Sequence, residues 1–227
     1  EGVTMIFNQL FDDKSSTYTY IISSGKGREA LIIDPVIEHT KKYIKILKDL
    51  ELKLVKVIDT HIHADHISGL NELNKQTECT RIMGEESESE VIDLRVKENE
   101  KVKIEGVELI TLYTPGHTKC SYSYLMNDRV FTGDTLLING SGRTDFQGGS
   151  AMEQYDSIFN KLLKLPDKTL VYPAHDYNGK KFSTVENERN NNPRLQVSSP
   201  DEYIQIMNNL KLANPKMMDI AVPANKK

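Results

Sequence analysis

Thr60-His61-Ile62-His63-Ala64-Asp65-His66 packs three imidazoles and a carboxylate into six residues. It directly follows Leu54-Val55-Lys56-Val57-Ile58-Asp59, which reads as a buried strand. A strand that ends in a tight turn can aim His61 and His63 at one point, and the next turn can present Asp65 and His66 beside them. Neutral imidazoles and carboxylates are the donors that zinc, iron and manganese select. The blander interpretation is a polar turn that happens to hold histidines. Against it, five of the six histidines (His61, His63, His66, His117 and His175) lie on similar strand-ending turns.

Three further turns look like partners. Thr114-Pro115-Gly116-His117 bends sharply after a strand and exposes an imidazole; Phe131-Thr132-Gly133-Asp134 does the same for a carboxylate, and Tyr172-Pro173-Ala174-His175 for another imidazole. One such turn is weak evidence. Together they matter, because clefts in sheet proteins commonly form at strand ends.

Working outward, residues 6–11, 17–22 and 30–35 read as strands, with a turn at Gly25-Lys26-Gly27. Tyr43, Ile44, Ile46, Leu47 and Leu50 recur at helical spacing, and a second helix runs through Leu70 and Leu73. Glu85, Glu86, Glu88 and Glu90 form an acidic run, most simply a solvated loop or helix face. Residues 101–109 alternate around Gly106 as a hairpin; strands follow at 109–113, 122–126, 129–131 and 170–172. Ser150-Ala151-Met152-Glu153 is a capping box opening a helix, and Ser199-Pro200-Asp201-Glu202 repeats the pattern with proline at the first helical position. One clear helix is expected after His175. With no internal repeat and no linker, residues 1–227 read as one domain, residues 1–4 being a cloning or processing remnant.

Bulk properties exclude several classes. Net charge is −4 with both signs interspersed, so no basic face for nucleic acid is expected, and Lys226-Lys227 is too short for a basic arm. No apolar run approaches the roughly 18 residues that a membrane span requires. The first residues lack the apolar core of an export signal. Two cysteines, Cys79 and Cys120, make no disulfide framework, which favours the reducing cytoplasm.

The set His61, His63, Asp65, His66, His117, Asp134 and His175 resembles that of the metallo-β-lactamase superfamily over residues 5–195. The resemblance implies an α/β fold, an αββα four-layer sandwich of two mixed sheets flanked by helices, with metal at one edge. In two-metal members, the counterparts of His61, His63 and His117 hold one ion, those of Asp65, His66 and His175 the other, with Asp134 bridging. Gly140 to Gln147, Tyr172 to Tyr177, Asn192-Pro193-Arg194-Leu195 and Val222-Pro223-Ala224-Asn225 together resemble the persulfide dioxygenase branch. That branch implies one Fe(II) per chain on His61, His117 and Asp134, a two-histidine, one-carboxylate set with open positions. His63, Asp65, His66 and His175 then become groups behind the ligands or a second-metal subsite. Two departures stand out: Ser141 replaces a cysteine that many members carry, and the chain ends in lysines where some have another.

The reaction implied is transfer of both oxygen atoms of O2 to the terminal sulfur of glutathione persulfide or a related small persulfide, then hydrolysis to sulfite and thiol. Arg143 and Arg194 are candidate carboxylate clamps and Tyr177 a candidate hydrogen-bond donor. For each arginine, a scaffold role weighs equally until its placement is known. Cys120 reads as a small buried thiol and His39 as a surface residue. A homodimer and a functional link to a rhodanese-type sulfurtransferase are family expectations. The main rival is a thioester hydrolase resembling glyoxalase II, with one or two Zn per chain. The Gly-Arg-Thr-Asp-Phe-Gln run and the short tail argue against it. A secreted β-lactamase fits poorly without an export signal, and a non-catalytic metal-binding module fits poorly with an intact donor set.

Overall fold

The computed structural model describes residues 4–227; the remnant expected at residues 1–4 therefore lies, except for Thr4, outside the described residues. Two six-stranded sheets form the centre. The first runs in sequence order: β1 (Ile6–Asp12), β2 (Thr17–Ser23), β3 (Glu29–Ile33), β4 (Lys53–Ile58), β5 (Thr80–Gly84) and β6 (Leu94–Val96). The second contains β7 (Lys101–Ile104), β8 (Val107–Tyr113), β9 (Tyr122–Leu125), β10 (Arg129–Gly133), β11 (Leu170–Pro173) and β12 (Ser183–Thr184), in the order β12-β11-β10-β9-β8-β7. Both sheets are mixed, with β3 to β6 mutually parallel in the first and β10 parallel to β11 in the second.

Alternation along the strands separates three apolar layers. Ile22, Leu31, Ile33 and Ile58 face across to Leu109, Tyr122, Tyr124 and Phe131 of the other sheet. Their neighbours Ile21, Ile32 and Val57 point outward, where Tyr43 and Leu47 of α1 (Thr40–Asp49) and Leu70 and Leu73 of α2 (Leu70–Thr77) cover them. On the far side Val130 and Val171 pack under Ile158 of α3 (Ala151–Asn160), Val185 of α4 (Val185–Asn191) and Tyr203 of α5 (Pro200–Asn208). The result is the four-layer αββα sandwich of the metallo-beta-lactamase fold.

Strand direction places the polar turns. β3 and β4 run the same way, so Asp34 and the 60–66 turn emerge at one edge of the first sheet. β8 and β10 are each antiparallel to β9, and β11 is parallel to β10, so His117, Asp134 and His175 emerge together from the second. The sheets are joined at this edge: Tyr122 N–H donates to Thr60 O at 3.0 Å and Tyr18 N–H to Ala174 O at 2.7 Å.

Some local expectations need correction. Strands β5 and β6 flank the acidic run, which is a loop; both are short, and Leu94 and Arg95 of β6 are exposed, so no alternation marked it. Three helices follow His175, since α4 and α6 (Met218–Ala224) join α5. The sequence of α4 is nearly all polar, and α6 contains Pro223, which masked both. Ser150 caps α3 through the Glu153 N–H, but its own N–H goes to Gly116 O rather than to the glutamate. Among the described residues no helix is long and apolar enough to cross a membrane.

Candidate metal centre

The seven residues expected to meet do so, in two groups. Donor atoms of His61, His117 and Asp134 lie within 4.8 Å of one another, and so do those of His63, Asp65, His66 and His175. His63 Nδ1 joins the second group, and its ring lies between the two, with centroids 4.2 Å from His61 and 4.3 Å from His66. Asp34 Oδ1 accepts from His63 Nε2 at 2.9 Å. That bond turns the other nitrogen, Nδ1, to the side of Asp65 Oδ1, 3.9 Å away.

In the first group the outer ring nitrogens settle the tautomers. His117 Nδ1 lies 2.7 Å from Arg143 O, which can only accept, so Nδ1 carries the proton. The Thr60 hydroxyl donates to Asp34 at 3.0 Å and therefore accepts from His61 Nδ1 at 2.9 Å. Both Nε2 atoms are left with lone pairs, and both face Asp134 Oδ2, at 3.5 Å from His61 and 3.3 Å from His117. Burial, with a push from His61, lowers the His117 pKa to about 4, so its ring is neutral near pH 7. Burial alone would raise the Asp134 pKa, but the His175 ring beside it holds it well below the carboxylate range. Two lone pairs and an anionic oxygen converging on one point repel each other unless a cation lies among them, so the donor set fits a metal ion.

In the second group one imidazole is held between carboxylates and two imidazole nitrogens are left over. His175 Nδ1 approaches Asp134 Oδ1 at 2.5 Å and its Nε2 approaches Asp65 Oδ2 at 2.7 Å. Burial opposes charge on this ring, yet the two flanking carboxylates raise its pKa well above the usual value. Asp65 Oδ2 also accepts from the Thr17 hydroxyl at 3.0 Å. His63 Nδ1 and His66 Nε2 are buried with no partner among the described residues. Burial, with His61 and His66 adding to it, lowers the His63 pKa to about 4.

Glycines permit the close approach. A Cβ on Gly142 would stand 2.1 Å from Asp134 O and 2.8 Å from His117 Nδ1, while the Gly142 N–H donates to Asp134 O at 2.7 Å. Gln154 supports this turn from α3, its amide donating to Gly142 O at 2.8 Å and its oxygen accepting from Tyr203 OH.

The expected substrate residues divide. Tyr177 is 71% exposed, and its ring lies parallel to His175 with centroids 6.4 Å apart. Arg143 holds Asp145 through Nε and Nη2, reaches Ala213 O at 2.7 Å and stacks on Phe146. Arg194 is half-buried and donates to the backbone oxygen of Ser141. Cys79 and Cys120 are buried and unpaired. His39 is bonded to Asp12 at 2.8 Å rather than free. Sequence reasoning missed Asp34, Thr60, Gly142 and Gln154. Asp34 carried a usable signal, because it too is a carboxylate on the turn after a strand.

The family model for the metallo-beta-lactamase superfamily matches residues 12–175. Mouse persulfide dioxygenase ETHE1, a mitochondrial protein, is 43% identical over 231 residues, spanning 99% of this chain and 89% of that one. The crystal structure of ETHE1 from Myxococcus xanthus superposes with a TM-score of 0.95 at 46% identity, covering 97% of this chain and 98% of that one. A hydroxyacylglutathione hydrolase of Dictyostelium discoideum is 34% identical over 187 residues, 77% of this chain and 68% of that one. Matched by persulfide dioxygenases over nearly its whole length, and built on their fold, the chain belongs to the metallo-beta-lactamase superfamily, in its persulfide dioxygenase branch.

Proposed function

We propose that this chain is an Fe(II)-dependent persulfide dioxygenase, with one iron held by His61, His117 and Asp134. The observation that carries it is the convergence of two imidazole Nε2 atoms on one carboxylate oxygen. Two histidines and a carboxylate on one face are the donor set of non-haem Fe(II) oxygenases. When bound, Fe(II) supplies vacant coordination positions and the electrons that dioxygen chemistry needs. Net, the terminal sulfur of R–S–S⁻ gains both oxygen atoms, and water cleaves the S–S bond to give sulfite and thiol.

The protein holds and orients. Thr60, Asp34 and the Arg143 carbonyl fix the His61 and His117 rings, so the donors are preorganised rather than recruited. His175 keeps a proton on Nδ1 against Asp134 Oδ1 and so fixes which oxygen faces the imidazoles. Tyr177 offers an exposed phenol beside the site for a hydrogen bond to the persulfide carrier. Arg143 keeps part of its donor fork uncommitted for a substrate carboxylate, while Arg194 acts by fixing Ser141 and the turn that carries Gly142.

The second reading is a dinuclear thioester hydrolase using zinc, and one observation favours it: four donors of the second group also lie within 4.8 Å of one another. An oxygen electrode separates the two. The dioxygenase consumes O2 when given glutathione persulfide and releases sulfite; the hydrolase cleaves hydroxyacylglutathione and leaves O2 untouched. On the same resemblance we carry forward a homodimer and a rhodanese-type sulfurtransferase as a functional neighbour. The unpaired cysteines support a reducing compartment, the cytoplasm.

A further inference from the structure

The turn carrying His61, His63 and His66 has no regular structure of its own, so its backbone carbonyls need partners from elsewhere. Two carboxamides supply them. Gln147 donates to Ile62 O at 2.8 Å. Asn225 donates to His63 O at 3.0 Å and to His66 O at 2.9 Å, and its Oδ1 accepts from the Ser68 N–H at 2.8 Å. Every polar atom of the Asn225 side chain is engaged, and only one amide orientation satisfies two carbonyls and one N–H. Although Asn225 sits at the C-cap of α6, its carboxamide is not spent on that helix.

The segment that delivers it is anchored independently. Ala221 is buried, and Val222 packs against the layer under α1 and α2. Glu90 N–H donates to Lys226 O at 2.8 Å, and Lys226 Nζ pairs with Glu88 at 2.5 Å. Asn71 reaches Lys227 O at 3.1 Å. A side chain held this firmly transmits its position to what it grips.

We infer that Asn225 is a positioning residue for the metal centre: it staples the backbone at His63, His66 and Ser68 and so fixes the path of the turn that opens at His61. This rests on the metal-binding reading above. It also gives the Val222-Pro223-Ala224-Asn225 motif a purpose that no ligand or substrate role assigns to it. Displacing ligand supports by a fraction of an ångström weakens a site without unfolding the domain.

The test is anaerobic Fe(II) titration of the full chain and of two variants, with thermal unfolding of each metal-free protein. Asn225→Asp keeps the acceptor for Ser68 but turns an oxygen toward the two carbonyls; Asn225→Leu removes all three bonds. Both are expected to lose about tenfold in Fe(II) affinity, the lower edge of the range for groups behind ligands. Their Tm falls by only a few degrees. Hydrogen exchange at the Ser68 amide accelerates in Asn225→Leu and stays slow in Asn225→Asp. Lys226→Ala, which breaks the adjacent ion pair, keeps the affinity of the parent chain. Variants that fold and bind Fe(II) like the parent overturn the inference; if Asn225→Leu fails to fold, Asn225→Asp decides alone. A parent chain that binds no Fe(II), or a His117→Ala variant that binds it equally well, overturns the metal reading itself.

Discussion

The two donor groups at the sheet edge are neighbours built from the same residue types, yet they are wired differently. Around His61, His117 and Asp134, the protons sit on the outer nitrogens and the lone pairs face inward. Around His63, Asp65, His66 and His175, one ring is held between two carboxylates, His175 to Asp134 at 2.5 Å and to Asp65 at 2.7 Å. The first arrangement fits a cation among its donors; in the second, His175 is tied to Asp65 and, through Asp134, to the first group, while His63 Nδ1 and His66 Nε2 are left buried without partners among the described residues. Counting candidate ligands along the chain does not distinguish them. Where the protons lie does.

The sharpest way to break this contrast is to remove one member of each group. His117→Ala or Asp134→Ala should lower Fe(II) affinity by more than about 100-fold, beyond the range typical of supporting residues. His66→Ala should leave one iron per chain, and calorimetric titration compares them. Loss of iron from His66→Ala would mean that the second group binds the ion.

Smaller effects refine the picture. His175→Gln can serve only one of the two carboxylates, so kcat should fall about 10–100-fold with iron content unchanged. Gly142→Ala places a methyl group 2.1 Å from Asp134 O. The backbone shift it forces should cost about 1–3 kcal/mol in urea unfolding and weaken iron binding alongside. Tyr177→Phe should change kcat/KM for the persulfide about two- to tenfold, the worth of one neutral hydrogen bond. A larger loss there would move Tyr177 from orienting substrate into the chemistry itself.

The layers and the strand-end positions of the donors were legible because each rests on a local pattern. Tyr43 and Leu47 share a helical face, Ile158 and Leu162 follow helical spacing, and His117, Asp134 and His175 each follow a strand and a bend. What was illegible depends on approach between distant segments. Asp34 reads as part of a strand over residues 30–35, yet it lies beyond the end of β3 with a left-handed backbone, φ 54°. Its grip on His63 and Thr60 exists only because β3 and β4 lie side by side. The spacing of His61 and His63 suggests neighbouring rings, which the structure has, but not that Asp34 holds His63 Nε2. The arginines show the same limit: sequence locates Arg194 in a loop but cannot reveal that its guanidinium turns inward to Ser141. Gly142 gives no sign in sequence that a methyl group would collide with Asp134.

Anaerobic titration of metal-free protein with Fe(II), followed to saturation, tests the contrast between the two groups most directly. One tight equivalent per chain, abolished by Asp134→Ala and retained by His66→Ala, is the predicted result. Two equivalents of comparable affinity, both lost when either group is altered, would contradict it and restore the dinuclear reading.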